Sequence, residues 1–516
     1  MLLSSDWLKH HAHTRPDKIA LIEPERQVTY AELWRMTKTR AAQLAGLDIG
    51  AGDRVAALMP NRIALVTLQA ACALRGAVFV PLNHRLAPVE LAAVIEDADP
   101  AVMFYEMRTA TLAFEAALSS AVMLIDADVP LDDSVTHMVA DTLASPTDAP
   151  AGPETPALIV YTSGSTGTPR GAVHTHANLL WNHAQFLQEL PFGADDINYA
   201  AAPMFHVAGL NVLTWPLLLA GGTSILVPSF QPDLALAHIR DSGATCAFMV
   251  PTMWRALLDS LSKAEADSGL AQSMGKFKGG VVGGAPCPPE LIRAWAEHDV
   301  TLMQGYGMTE AGPMATLLGP RDAVEHAGSV GVPGEFVDVR IVDDEGRDVA
   351  PGEAGELILR GPNVMKGYWR NPQATARALR CGWFHSGDIA RQDADGRYTI
   401  VGRRRDMIIT GGENVYPAEV ERVLGQMPGV AEAAVFGVDD DFWGEQVCCA
   451  VVPEEDDAGD EISLEAIVAF CSQSLARYKC PRRLFVVDEL PRNGAGKVLR
   501  DELRSLPDIG TFEEAV

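Results

Sequence analysis

The chain has 516 residues, 48% of them hydrophobic, which is enough for a large core and more than one domain. A formal charge of -27 disfavours nucleic acid and anionic membrane surfaces as partners, so an anionic substrate must be gripped by local cations and backbone amides. The eight cysteines include no CxxC pair and suit a reduced, cytoplasmic protein; the opening MLLSSDWLKHH lacks the basic start and apolar run of a signal peptide.

In chain order, Thr29-Tyr-Ala-Glu32 has the form of a capping box, which predicts a helix from there to about Ala45. Arg54 to Met59 reads as a buried strand, residues 61–75 as helix and Ala77 to Pro81 as strand. The apolar run from Ile63 to Leu82 is interrupted by Gln69, Arg75 and Gly76, so it fits a helix and a strand better than a membrane span. This alternation favours α/β architecture with largely parallel strands. Residues 126–156, rich in Pro, Asp, Ala and Thr, read as a long surface connection. Ala157 to Tyr161 is strand-like and residues 177–190 are helical in pattern. The rhythm continues to about residue 400, where the basic, glycine-bearing GRRRDMIITGG begins. From Pro417 a compact unit is expected: a helix, strands near 432–438 and 446–453, a helix at 463–476 and a strand at 483–487. The boundary falls near Gly402 to Arg405, giving domains 1–402 and 403–516. Cys448 and Cys449 should point to opposite faces of their strand.

Two loops carry chemistry. Tyr161-Thr-Ser-Gly-Ser-Thr-Gly-Thr-Pro-Arg-Gly171 interleaves the hydroxyls of Ser163, Ser165 and Thr166 with Gly164 and Gly167. Glycines turn backbone N–H groups toward a ligand and hydroxyls add donors, so the loop can wrap phosphate oxygens. It lacks the Gly-Lys-Ser/Thr ending of a Walker loop; taken alone, a flexible linker is the other reading. In Gln304-Gly-Tyr-Gly-Met-Thr-Glu310, Tyr306 offers a flat face to a base, and Thr309 and Glu310 set a hydroxyl beside a carboxylate. A carboxylate next to phosphate calls for a hard cation, which suggests Mg²⁺ at Glu310. In isolation an ordinary tight turn explains this fragment equally well.

With Gly283-Gly-Ala-Pro286, His385-Ser-Gly-Asp388, the stretch from Gly402 to Glu421 and Pro491-Arg-Asn-Gly-Ala-Gly-Lys497, these motifs follow one order and spacing. From about Asp6 to Leu503 the chain resembles the adenylate-forming superfamily of acyl-CoA synthetases, luciferases and nonribosomal-peptide adenylation domains. The resemblance implies a large N-terminal domain of stacked α/β subdomains and a small, mobile α+β C-terminal domain. Thr162, Ser163, Gly164, Ser165, Thr166 and Gly167 would hold the ATP β- and γ-phosphates. Gly284, Ala285, Pro286 and Tyr306 would flank adenine, Thr309 would contact the α-phosphate, and Glu310 would hold Mg²⁺. Asp388 would accept from the ribose hydroxyls with Arg403 assisting, and Lys497 would bridge the substrate carboxylate and α-phosphate. Two carboxylic-acid half-reactions are implied: adenylation with release of pyrophosphate, then thiol displacement of AMP. Rotation of the small domain between them would replace Lys497 with the loop carrying Gly411 and Gly412, which would line the pantetheine tunnel for coenzyme A.

Two positions depart from the family pattern. Arg170 replaces the usual lysine, keeping charge with different geometry. Arg405 occupies the hinge, where aspartate or lysine is usual.

His206 stands where amino-acid-activating members carry aspartate, which disfavours an amino-acid substrate; it resembles the aromatic gate of acyl- and aryl-CoA ligases, and a buried core histidine is the other reading. Val207 to Asn211 and Ala311 to Met314 are expected to line the acyl pocket, with Gly307 at its floor in place of the tryptophan of acetate-activating members. These segments contain no cation, so a hydrophobic monocarboxylate, medium-to-long fatty or aryl, is expected. The alternatives are o-succinylbenzoate, hydroxycinnamate, or an acyl group loaded onto a carrier protein. The resemblance leaves a homodimer open.

Overall fold

The computed structural model describes residues 4–129, 152–162, 169–268, 274–410, 413–440, 443–454, 462–475, 477–493, 496–505 and 513–514. The chain divides into two compact units, residues 1–339 with 359–385, and residues 340–358 with 386–516. The boundary expected at 402/403 lies inside the second unit.

The first unit is built on two sheets. One carries six parallel strands in the spatial order Thr301–Tyr306, Gly279–Val282, Cys246–Met249, Ile197–Ala200, Thr223–Leu226 and Ile19–Glu23. In the other, Pro156–Thr162, Val78–Pro81, Arg54–Leu58, Val102–Tyr105 and Met123–Asp126 are parallel neighbours, and Arg170–Thr175 returns antiparallel beside the first of them. Strands of this kind are buried on both faces and read as continuous apolar runs, as in Ala56, Ala57 and Leu58, which are fully buried.

The local readings hold in detail. The Thr29 hydroxyl accepts from the Glu32 amide while the Glu32 carboxylate accepts from the Thr29 amide, and the helix Tyr30–Gly46 follows. The interrupted apolar run forms the helix Ile63–Arg75 and the strand Val78–Pro81, divided by Gly76 in the left-handed region that ends the helix. None of the described helices is long and apolar enough to cross a membrane. Most of the expected connection at 126–156 lies outside the described residues.

In the second unit the expected elements appear as Pro417–Leu424, Val430–Asp440, Gly444–Pro453, Leu464–Cys471 and Arg483–Val486. The long antiparallel pair brackets Cys448 and Cys449, both buried, with Cys449 in the core under the two helices and Cys448 in the core with Phe436, Phe485 and Leu503 on the other face. All eight cysteines are unpaired, and only Cys381 is exposed.

Candidate active site

In open α/β sheets ligands bind beyond the carboxyl ends of the strands. Three parallel strands of one sheet in the first unit, two of them adjacent and the third separated from them by Cys246–Met249, end at the motifs picked out in the sequence. Ile197–Ala200 runs into residues 201–206, Gly279–Val282 into Gly283–Pro286, and Thr301–Tyr306 into Gly307–Glu310. Val282 lies opposite Gln304 in register, which sets Gly284 to Pro286 beside Tyr306. Gly284 takes a positive φ of 83° and, with Ala285 and Pro286, is exposed.

Thr309–Ala311 forms a single 3₁₀ turn. His174 holds it from the second sheet, its Nε2 donating to the Thr309 carbonyl at 2.7 Å. The Met365 amide donates to the Glu310 carbonyl at 2.8 Å, and the Tyr368 hydroxyl donates to Glu310 Oε1 at 2.9 Å. Tyr368 reaches this place because Gly367–Tyr368 pairs antiparallel with Arg170–Thr175, with Tyr368 opposite Ala172. The Arg170 guanidinium sits 5.8 Å from the centre of the Tyr368 ring, which gives the unusual arginine a planar partner. Burial first, then the charge and hydrogen bond of Glu310, push the Tyr368 phenol well above its usual range.

Thr162 ends the strand Pro156–Thr162 opposite Arg170, so the glycine-rich loop joins two antiparallel strands. Its anchorage is visible one residue earlier, where the Tyr161 hydroxyl donates to Asp97 at 2.5 Å. Ser163, Gly164, Ser165, Thr166 and Gly167, like Gly411 and Gly412, lie outside the described residues.

His206 is half-buried; its Nε2 is buried with no hydrogen-bond partner among the described residues, and its ring lies 4.5 Å from that of Phe205. Loss of hydration, followed by the nearby Arg85 charge, lowers its pKa to about 4, so the imidazole is neutral at pH 7. Phe205 also meets the His84 ring at 5.1 Å and the Arg85 guanidinium at 5.7 Å. Val207–Asn211 is helical, with Val207, Gly209, Leu210 and Asn211 buried. Asn211, one of the residues expected to line the acyl pocket, has its Oδ1 3.0 Å from His183 Nε2, and its carbonyl accepts from Asn182. Gly307 is close-packed. A Cβ there would lie 2.5 Å from the Pro313 carbonyl oxygen and 2.8 Å from the Met314 Cα. A tryptophan at 307 would therefore displace backbone, so the substitution tests the turn rather than pocket depth.

In the second unit Asp388 is buried beside Arg403, whose Nε lies 3.0 Å from Oδ1, and the two residues face each other across paired strands. The Lys497 amide donates to Asn493 Oδ1, and the Lys497 carbonyl accepts from the Asn493 amide, closing a tight turn. The Lys497 side chain is exposed as a whole, yet surrounding protein costs its ammonium hydration. With the Arg403 and Arg405 charges added, and Asp406 and Asp388 opposing, its pKa falls to about 8.

Residues 8–369 match the AMP-binding enzyme family and residues 419–497 the AMP-binding enzyme C-terminal domain. The chain belongs to the AMP-binding enzyme family. It is 41% identical over 498 residues to a feruloyl-CoA synthase of Amycolatopsis sp, covering 96% of this chain and 98% of that one. To an indoleacetate–CoA ligase of Aromatoleum aromaticum it is 38% identical, covering 99% of both. Among solved structures it matches ATP-bound MatB from Rhodopseudomonas palustris with a TM-score of 0.86 and 32% identity over 99% of this chain and 100% of that one. The o-succinylbenzoate CoA synthetase of Bacillus subtilis, in complex with its acyl-adenylate, matches with a TM-score of 0.83 and 31% identity over 96% and 97% of the two chains. The acyl-CoA synthetase fold and the activity class follow: an AMP-forming acid–CoA ligase that uses ATP, Mg²⁺ and coenzyme A.

Sequence reading missed His174 and Asp97 and gave Tyr368 no role. Only Tyr368 left a signal, in the run Gly361-Pro-Asn-Val-Met-Lys-Gly-Tyr368.

Proposed function

We propose that the chain activates a hydrophobic aryl monocarboxylic acid and transfers it to coenzyme A. The observation that carries this reading is the neutral, half-buried His206, its ring tilted against that of Phe205 at 4.5 Å, continued by the apolar helix through Val207 and Leu210. An aromatic acyl group gains from contact with aromatic and apolar side chains. The names of the relatives similar in sequence, which include aryl-acid ligases, support it.

Attack of a carboxylate on the α-phosphate brings two anions together, so catalysis here is chiefly charge stabilisation. Thr309 donates toward the α-phosphate, with the 3₁₀ turn keeping its position. Asp388 accepts from the ribose hydroxyls while Arg403 balances its charge. Lys497 offsets charge between carboxylate and phosphate. Thr162 to Gly167 cradle the terminal phosphates, and Gly284 to Pro286 and Tyr306 flank the base. Glu310 suits Mg²⁺: its Oε1 is hydrogen-bonded, and a single carboxylate combined with phosphate oxygens is how this ion is usually held. Bound there, Mg²⁺ would neutralise phosphate charge. In the thioester half-reaction Gly411 and Gly412 line the path of the pantetheine arm, and Arg405 acts as the hinge between residues 1–402 and 403–516.

Arg85 favours a second reading. Its guanidinium, close to Phe205 and felt by His206, supplies the cation that the pocket segments lack and would suit an acid with a second anionic group. A panel of aryl, aliphatic and dicarboxylic acids, scored by CoA-dependent AMP release, separates the two. Hydrophobic aryl acids should exceed acetate by far in kcat/KM, since each buried methylene contributes about 0.8 kcal/mol. Acetate as the best substrate refutes both, and a dicarboxylate whose advantage disappears in Arg85→Ala establishes the second.

The reading includes a cytoplasmic location, supported by the unpaired cysteines. It includes a homodimer, supported by exposed Met107, Phe114, Leu118 and Met123 near a sheet edge and tested by light scattering.

A further inference from the structure

The run Gly361 to Tyr368 lies against the Thr309–Ala311 turn, and three of its hydrogen bonds go to Glu310 and its neighbour Ala311. The Met365 amide holds the Glu310 carbonyl, Asn363 Nδ2 donates to the Ala311 carbonyl, and the Tyr368 hydroxyl engages Glu310 Oε1. The run is itself fixed from outside: the Asn178 side chain donates to the Pro362 carbonyl, the Lys366 amide to Val173, and the Trp369 amide to Gly171. Both the backbone and one carboxylate oxygen of Glu310 are therefore held by a single rigid segment.

We propose that Tyr368 is a positioning residue that restricts Glu310 to one-oxygen ligation of its metal ion and so selects Mg²⁺ over Ca²⁺. A carboxylate whose Oε1 already accepts from a hydroxyl at 2.9 Å has Oε2 as its less encumbered oxygen for an ion. Mg²⁺ is small and octahedral, retains waters, and is satisfied by one oxygen. Ca²⁺ takes 6–8 ligands and gains from bidentate carboxylates. Freeing Oε1 removes the bias. This rests on the reading of Glu310 as the metal-holding carboxylate.

The test is calorimetric binding of a non-hydrolysable ATP analogue to the full chain with Mg²⁺ or Ca²⁺ as the only divalent ion, for the unmodified protein, Tyr368→Phe and Glu310→Gln. In the unmodified protein Mg²⁺ should support binding better than Ca²⁺. Tyr368→Phe should narrow that ratio by about 3- to 10-fold, the effect of losing one hydrogen bond, and Glu310→Gln should abolish the Mg²⁺ dependence. A merely structural tyrosine would weaken binding equally with both ions, and an unchanged ratio in Tyr368→Phe overturns the proposal. Equal support by both ions in the unmodified protein also overturns it, a result independent of how the variant folds. Retained Mg²⁺ dependence in Glu310→Gln overturns instead the reading on which the proposal rests.

Discussion

His174 donates from Nε2 to the carbonyl oxygen of Thr309 at 2.7 Å, joining the strand after the glycine-rich loop to the turn that carries the candidate phosphate and metal residues. The ring is almost fully buried, so its loss leaves an interior carbonyl unpaired. A lost buried hydrogen bond costs about 1–3 kcal/mol. His174→Ala should accordingly slow pyrophosphate release by about 10- to 100-fold, and His174→Gln, which retains a donor, should recover part of that loss. Equal rates for all three proteins would remove this contact from the account.

Burial also makes four histidines acid-sensitive. His174, His176, His183 and His206 have pKa values lowered to about 4, loss of hydration being the first cause in each. Between pH 4 and the ordinary value of 6.5 the unfolded chain binds more protons than the folded one, so stability rises with pH there. Stability should be full above about pH 6.5 and fall steadily toward pH 4, by on the order of 3 kcal/mol per group. Thermal melts across this range should show a shallower slope for His176→Phe than for the unmodified protein.

Gly305 and Gly307 look alike in the sequence and differ in space. A Cβ at 305 meets only side-chain atoms, the nearest at 3.5 Å, whereas one at 307 meets backbone at 2.5 Å. Gly307→Ala should lower stability by about 1–3 kcal/mol and impair adenylation, because the displaced backbone adjoins Thr309 and Glu310. Gly305→Ala should be well tolerated. Denaturant unfolding of the pair measures the difference.

This contrast shows where the sequence stops being informative. Periodicity and caps located the helix after Thr29, the strands around Gly76 and the paired strands around Cys448, because those signals are local. The motifs identified Thr309, Glu310, Asp388 and Lys497 as candidates, because phosphate chemistry needs hydroxyls, carboxylates and cations in recognisable runs. The groups that hold the turn were hidden. His174 and Tyr368 lie 135 and 58 residues from the partners they engage, and only sheet pairing brings them there. The crowding at Gly307 was hidden as well: the backbone that meets it, although only a few residues further on, folds back through a turn that no side-chain pattern announces.

Lys497 should give adenylation a basic limb. Its ammonium must be charged to offset the phosphate, and with the pKa lowered to about 8 that charge is lost as pH rises through this value. In the free enzyme, kcat/KM for ATP should decline above about pH 8. Arg405→Ala removes one of the neighbouring positive charges and should move the limb to higher pH. A limb that stays in place would show that Arg405 does not act on Lys497.

The most direct test of Lys497 as the charge partner in adenylation measures the two half-reactions of Lys497→Ala separately. Acid-dependent pyrophosphate release reports adenylation, and thioester formation from a supplied acyl-adenylate and coenzyme A reports the second step. Adenylation should fall by about two to four orders of magnitude, as for loss of a transition-state charge partner, while thioester formation stays near the unmodified rate. Equal loss in both half-reactions would contradict that role.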